Sequence, residues 1–282
     1  RTNHPQMLEP LSGGTMPVSL YFTQWLLVGV FTFALPQSVV RCMGYKDTKS
    51  LRGAMIGGTI IIGAMMIGVT ALGVLSAGVL TGDLASYGGS VDNIIPRTIV
   101  ETLPPWLAGV AIVGPVAASI STVSSLLIAS SSAIIKDLWL HYADDRGQQV
   151  SDAVVARSSQ IITLGVGVIV FVLAVVPPSV IWKINMFAFG GLETAFCWVL
   201  VGALFFKRAN KVGAIASMVG GTAVYCLCMA LGFKLFGLHQ IVIGITVSLL
   251  CMVIGSWVGN RRASAADAAA EAEVREVFFP EA

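Results

Sequence analysis

Seven times along this chain, about 20 or more residues pass with hardly a charged side chain, which is the length a helix needs to cross a bilayer core. The stretches run over 18–41, 53–80, 105–135, 158–176, 179–206, 212–233 and 238–258. Short segments rich in charge and turn residues separate them, such as Tyr45-Lys46-Asp47-Thr48-Lys49 and Asp144-Asp145-Arg146-Gly147. Pro177-Pro178 divides the fourth stretch from the fifth, because proline cannot continue a helix interior. Composition agrees: 11% of residues are charged and mean hydropathy is +0.84. Soluble domains carry about 25% charged residues. The pattern predicts an all-α polytopic membrane protein with about seven transmembrane helices, whose first partner is the lipid bilayer. A net charge of +2 gives no basis for binding nucleic acid.

Basic residues orient such a protein, since cytoplasmic loops hold the excess of Lys and Arg. With the end of the first span inside, 13 of the 17 basic residues fall in inner loops, Lys46, Lys136 and Arg208 among them. Arg1, Arg97, Lys183 and Lys234 stay outside. The expected organisation is an extracytoplasmic loop over 1–17, a transmembrane domain over 18–258 and a cytoplasmic tail over 259–282. The segment Asp92–Leu103 has the length of a short outer helix ending at Pro104-Pro105. The chain opens on Arg1, not Met, and on loop-forming residues without a signal peptide, so it reads as the C-terminal part of a larger protein.

Three spans hold residues that lipid packing alone does not require. In the third, Ala118, Ser121, Thr122 and Ser125 recur at i, i+3, i+4 and i+7 and so share one helix face. A hard cation such as sodium takes oxygen ligands, which a carbonyl at Ala118 and hydroxyls at Ser121 and Thr122 can supply. The alternative is that small and hydroxyl residues only let helices approach closely. In the first span, Pro36 follows Phe31 and Thr32 and frees a carbonyl within the membrane. Broken helices at mid-membrane are where transporters bind substrate, although a plain proline kink is also tolerated there. In the fifth span, Glu193 follows Gly190-Gly191 deep inside an apolar run. An intramembrane carboxylate is a functional candidate by default. Its bland reading is a hydrogen bond to a neighbouring helix.

The five cysteines show no ligand spacing and the three histidines lie far apart, so no metal centre is expected. Nor do a nucleophile, a base and an orienting residue occur together, which argues against an enzyme. A heptahelical receptor also has seven spans and an outer N-terminus. The runs Asp-Arg-Tyr and Asn-Pro-x-x-Tyr that mark many receptors are missing.

Three stretches together resemble the sodium/solute symporter family. One is Leu35-Pro36-Gln37-Ser38-Val39-Val40-Arg41-Cys42-Met43, followed by Tyr45-Lys46-Asp47-Thr48-Lys49. The second is Ala117-Ala118-Ser119-Ile120-Ser121-Thr122, with Ile134-Ile135-Lys136-Asp137-Leu138. The third is Ala188-Phe189-Gly190-Gly191-Leu192-Glu193. The first and third point to the pantothenate branch, and the likeness extends from about Met16 to Gly259.

The resemblance implies a LeuT-type fold, of which spans one to five form the second inverted repeat and two additional helices follow. It implies sodium-coupled symport of a small organic carboxylate, pantothenate first, across the inner membrane, with the C-terminus cytoplasmic. Sodium is then the coupling ion and no other cofactor is expected. It places Ala118, Ser121 and Thr122 at a sodium site and Phe31, Thr32 and Pro36 near substrate. The first repeat, with half of the substrate pocket, is absent from these residues. Proline, a sugar or a short-chain acid stays open as the solute, as does a truncated remnant that transports nothing.

Overall fold

The computed structural model describes residues 11, 16–42, 44–80, 89–148, 150–175 and 179–262. Pro177-Pro178, nearly all of the expected outer loop 1–17 and the tail after Arg262 lie outside the described residues. The described residues are helical with short connections, and six of their helices are long and apolar enough to cross a membrane. A shorter apolar segment, Val18–Ala34, precedes them. The chain is an all-helical, multi-pass membrane protein.

In chain order, α1 spans Val18–Trp25, α2 Pro36–Cys42, α3 Thr48–Val79 and α4 Ile94–Thr102. Then come α5 over Pro105–Ser132, α6 over Asp152–Val175, α7 over Ile181–Phe205, α8 over Lys211–Ala230 and α9 over Gln240–Arg262. The short helix expected before Pro104-Pro105 is present as α4, which ends at Thr102, two residues before Pro104.

Two expected spans differ from their helices for physical reasons. The first is not one helix, because Leu35 is extended between the tight turn Phe31–Ala34 and α2. A residue before proline is pushed out of the α region, and a proline readily starts a new helix. The third does not stop at residue 135. Beyond Ser132 it widens into π turns over Ala133–Leu140 and ends in a last α turn, His141–Asp145. Lys136 and Asp137 add charge without breaking the backbone, whereas Gly147, at a φ of +68°, does break it.

The chain divides into two units, residues 1–74 with 181–282, and residues 75–180. In the first unit, α7, α8 and α9 form a tight knot. The core holds Leu27, Ala34, Met186, Cys197, Tyr225, Ile241 and Ile245. Glycines make this approach possible. A Cβ on Gly213 would stand 2.8 Å from the Met252 carbonyl oxygen, and one on Gly221 2.5 Å from the Ser248 Cβ. Polar side chains close the knot. The Ser217 and Ser248 hydroxyls lie 2.8 Å apart, and Ser248 donates to the Thr194 carbonyl at 2.8 Å. Tyr225 donates to the Met186 carbonyl at 2.9 Å, and the Trp198 indole to the Ile245 carbonyl at 2.9 Å.

In the second unit, α5 and α6 meet through the buried Ser131. Its hydroxyl accepts from Thr163 at 2.8 Å and donates to the Leu127 carbonyl at 2.8 Å. The apolar side chains of α6 are otherwise mostly exposed within the described chain, as suits helices covered by lipid or by further protein.

Candidate functional site

The broken first helix is built in steps. After α1 the backbone widens into π turns over Leu26–Val30 and tightens into a 3₁₀ turn over Phe31–Ala34. Leu35 then leaves helical space at φ −66°, ψ 129°. Irregular helix of this kind marks functional hinges, because it interrupts the regular ladder of amide bonds. The Leu35 N–H donates to the Thr32 carbonyl at 3.2 Å. The Leu35 carbonyl accepts from Ser38 and Val39 at 2.8 and 3.1 Å, which starts α2. Thr32 turns its hydroxyl back to the Val28 carbonyl at 3.0 Å.

Phe31, Thr32 and Pro36 therefore flank one break, all three half-buried. Phe31 packs against the core of the knot. The segment is held at its other end too: the buried Thr23 hydroxyl accepts the His239 N–H at 2.9 Å, at the entrance to α9. Pro36 thus sets where the first helix breaks, and contacts with residues distant in sequence hold the segment on either side of the break.

The hydroxyl face lies on α5 and belongs to the second unit. The helix is regular from Pro105 to Ser132 despite Pro115, so Ala118, Ser121, Thr122 and Ser125 fall on one face as their spacing requires. The Thr122 hydroxyl donates to the Ala118 carbonyl at 3.1 Å, and Ser125 to the Ser121 carbonyl at 3.0 Å. All four residues are exposed within the described chain. The Ala118 and Thr122 oxygens are thus already neighbours. A hydroxyl that satisfies itself on its own helix can turn its lone pairs to a hard cation without breaking a contact between helices.

Glu193 sits where the spacing of α7 puts it, in the middle of the knot. It is 0% exposed, and neither carboxyl oxygen has a hydrogen-bond partner among the described residues. Among the described residues, then, Glu193 makes no hydrogen bond to a neighbouring helix. Of the two glycines beside it, Gly190 has its Cβ position taken by the Tyr225 ring and hydroxyl, whereas Gly191 has open space.

Several residues that shape these sites were not singled out by sequence reasoning. Asn210 caps α8 by accepting the Gly213 N–H at 2.9 Å, and its amide donates to Ser256 and Asn260 of α9 at 2.8 and 3.0 Å. An Asn just before an apolar run is a legible start signal. Thr23, Tyr225, Ser217 and Ser248 carried no local signal, because their partners are remote in sequence.

A broken membrane helix is a feature shared with secondary transporters, whose sites are built at discontinuous helices. The model of the sodium:solute symporter family matches residues 4–221, and the chain belongs to that family. It is 36% identical over 259 residues to the sodium/pantothenate symporter of Haemophilus influenzae, covering 92% of this chain and 52% of that one. The sodium/pantothenate symporter of Escherichia coli is 36% identical over 261 residues, 92% of this chain and 53% of its own length. The osmoregulated proline transporter OpuE of Bacillus subtilis is 27% identical over 264 residues, 93% and 52% of the two chains. The chain spans about half the length of the curated relatives it matches. No solved structure matches it.

Proposed function

We propose that the protein to which this chain belongs couples inward movement of sodium to uptake of a small organic carboxylate, pantothenate first, and is not an enzyme. The observation that carries this reading is the hydroxyl face of α5, whose oxygens bond along their own helix and take no part in packing within the described chain. Sodium is written here as a co-transported substrate. Ala118 offers its carbonyl and Ser121 and Thr122 their hydroxyls. The half-buried Phe31, Thr32 and Pro36 at the helix break form part of the wall for the organic solute, where interrupted backbone supplies polar groups within the membrane.

The choice of pantothenate rests on the 36% identity to two symporters of that name. Proline is the second reading, supported by the weaker likeness to a proline transporter over the same length. In this reading spans one to five form the second repeat of a LeuT-type fold and two helices follow. The protein lies in the inner membrane with residues 1–17 outside and 259–282 inside. Aromatic placement fits: Trp106 and Trp182 stand exposed at the proposed outer ends of α5 and α7. At the inner end of α9, Arg261 lies 3.7 Å over the Trp257 ring.

The test is uptake of labelled pantothenate by cells that lack their own carrier and express the full-length protein. Uptake should rise with an inward sodium gradient and should not be competed by proline. Uptake that ignores sodium would remove the coupling, and strong competition by proline would reassign the solute. Single cysteines at Lys46, Lys136 and Arg208 should resist an impermeant thiol reagent in whole cells, while one at Lys234 should react.

A further inference from the structure

Glu193 is the one carboxyl side chain among the described residues that is completely enclosed, and the enclosure comes from this chain. Tyr225 of α8 fills the space over Gly190, one turn before it on α7. Cys197, one turn after it, is buried in the apolar core. Thr194, beside it, takes the hydroxyl of Ser248 from α9. No group from outside reaches the carboxyl while these helices stay packed.

Nothing inside the knot offsets a negative charge there. The other ionisable side chains of α7 are Lys183 and Cys197, and those of α8 are Lys211, Tyr225, Cys226 and Cys228. Between Gln240 and Asn260, α9 adds Cys251 alone. The irregular segment Phe31–Ala34 adds none. Lys183 is ten residues from Glu193 along one helix, roughly 15 Å at 1.5 Å per residue, and Lys211 opens α8 at its far end. The neighbouring hydroxyls are committed as well. Tyr225 donates to Met186 at 2.9 Å, Thr194 to the Gly190 carbonyl at 2.8 Å and Ser248 to the Thr194 carbonyl at 2.8 Å. The buried hydroxyls of Thr222 and Ser256 have no hydrogen-bond partner among the described residues, but a hydroxyl carries no positive charge to offset the carboxylate.

Enclosing a bare carboxylate without a partner is strongly unfavourable, and a proton removes that charge where no counter-ion is available. We propose that Glu193 is a resident proton site: at neutral pH its carboxyl is held as the uncharged acid within the α7–α8–α9 knot, with or without sodium present. The acid is uncharged, and its O–H can donate to a backbone carbonyl one turn back, as the Thr194 hydroxyl does.

The experiment is infrared spectroscopy of the purified full-length protein in lipid at pH 7, with ¹³C-labelled glutamate to identify glutamic-acid bands. Wild type should show a carbonyl band of a protonated glutamic acid, absent in Glu193→Gln and unchanged by sodium. Glu193→Asp should replace it with an acid band that the glutamate label no longer shifts. Glu193→Gln should melt within about 2 °C of wild type, because it swaps one neutral group for another of equal size. The proposal fails if no acid band depends on residue 193. It fails equally if sodium abolishes the band, which would make Glu193 a cation ligand. Should the Gln variant not fold, the labelled wild type and Glu193→Asp still decide: an acid band in neither means a charged carboxylate.

Discussion

The α7–α8–α9 knot and the α5 hydroxyl face are both rich in Gly, Ser and Thr, yet the structure uses these residues in opposite ways. In the knot, Gly190, Gly213 and Gly221 lack a Cβ that would collide with a neighbouring helix, and Ser217 and Ser248 reach across to another helix. On α5, Ser119, Thr122, Ser124 and Ser125 all bond to carbonyls of their own helix, and Gly109 and Gly114 have open space beside them. Small residues in a membrane helix therefore carry two messages. They let helices approach closely where a partner fills the space. Where none does, hydroxyls bonded along the helix remain available to an ion.

The sharpest break in that comparison is to fill both regions. Gly213→Leu in the knot pushes a side chain into the Met252 backbone and Ser256. It should cost about 3 kcal/mol, at the upper end for overpacking, and lower the melting temperature by about 6–12 °C. Gly114→Ala on α5 should leave melting unchanged. Equal losses at both sites would mean that α5 is packed as tightly as the knot. Asn210→Ala comes next, at about 2 kcal/mol, because it removes a helix cap and two bonds to α9. Thermal unfolding followed by fluorescence-detected gel filtration reads both.

Tyr225→Phe should cost about 1 kcal/mol, the net worth of its one bond to the Met186 carbonyl. A larger loss would mean that the hydroxyl also orders Glu193 beside it.

The smallest effect is expected at Asp47, which lies in neither region and serves as a reference. Its carboxylate accepts the Ser50 N–H at 2.6 Å at the start of α3. That bond, with the Ser50 side chain next, holds its pKa below the ordinary 3.8. The folded-state value is depressed, so the contribution is present above pH 3.8 and is lost as pH falls through the lower folded value. Asp47→Asn should match wild type in acid and differ slightly from it at neutral pH, in hydrogen exchange of the first turn of α3.

How much of this could be read in the sequence follows the range of each signal. Spans were legible because lipid demands long apolar runs, and only the first and third differ in kind from the helices observed. The shared face of Ala118, Ser121 and Thr122 follows from helix periodicity, and the break at Leu35 from Pro36. The π turns at Leu26–Val30 have no residue signature of their own. The partners of Thr23 and Tyr225 are set by how helices dock, so no local pattern reveals them. Glu193 was legible as exceptional, but not as unpartnered, since that depends on what Tyr225, Thr194 and Ser248 already bind.

The central claim is that the α5 face binds an ion and does not hold helices together. Sodium binding and melting temperature, measured together on the full-length protein carrying Ser121→Ala and Thr122→Ala, test it most directly. The account predicts that sodium affinity falls at least about tenfold, or 1.4 kcal/mol, while sodium-free melting stays within about 2 °C of wild type. Unchanged sodium affinity with a clearly lowered melting temperature would contradict it, and would make these hydroxyls packing residues like those of the knot.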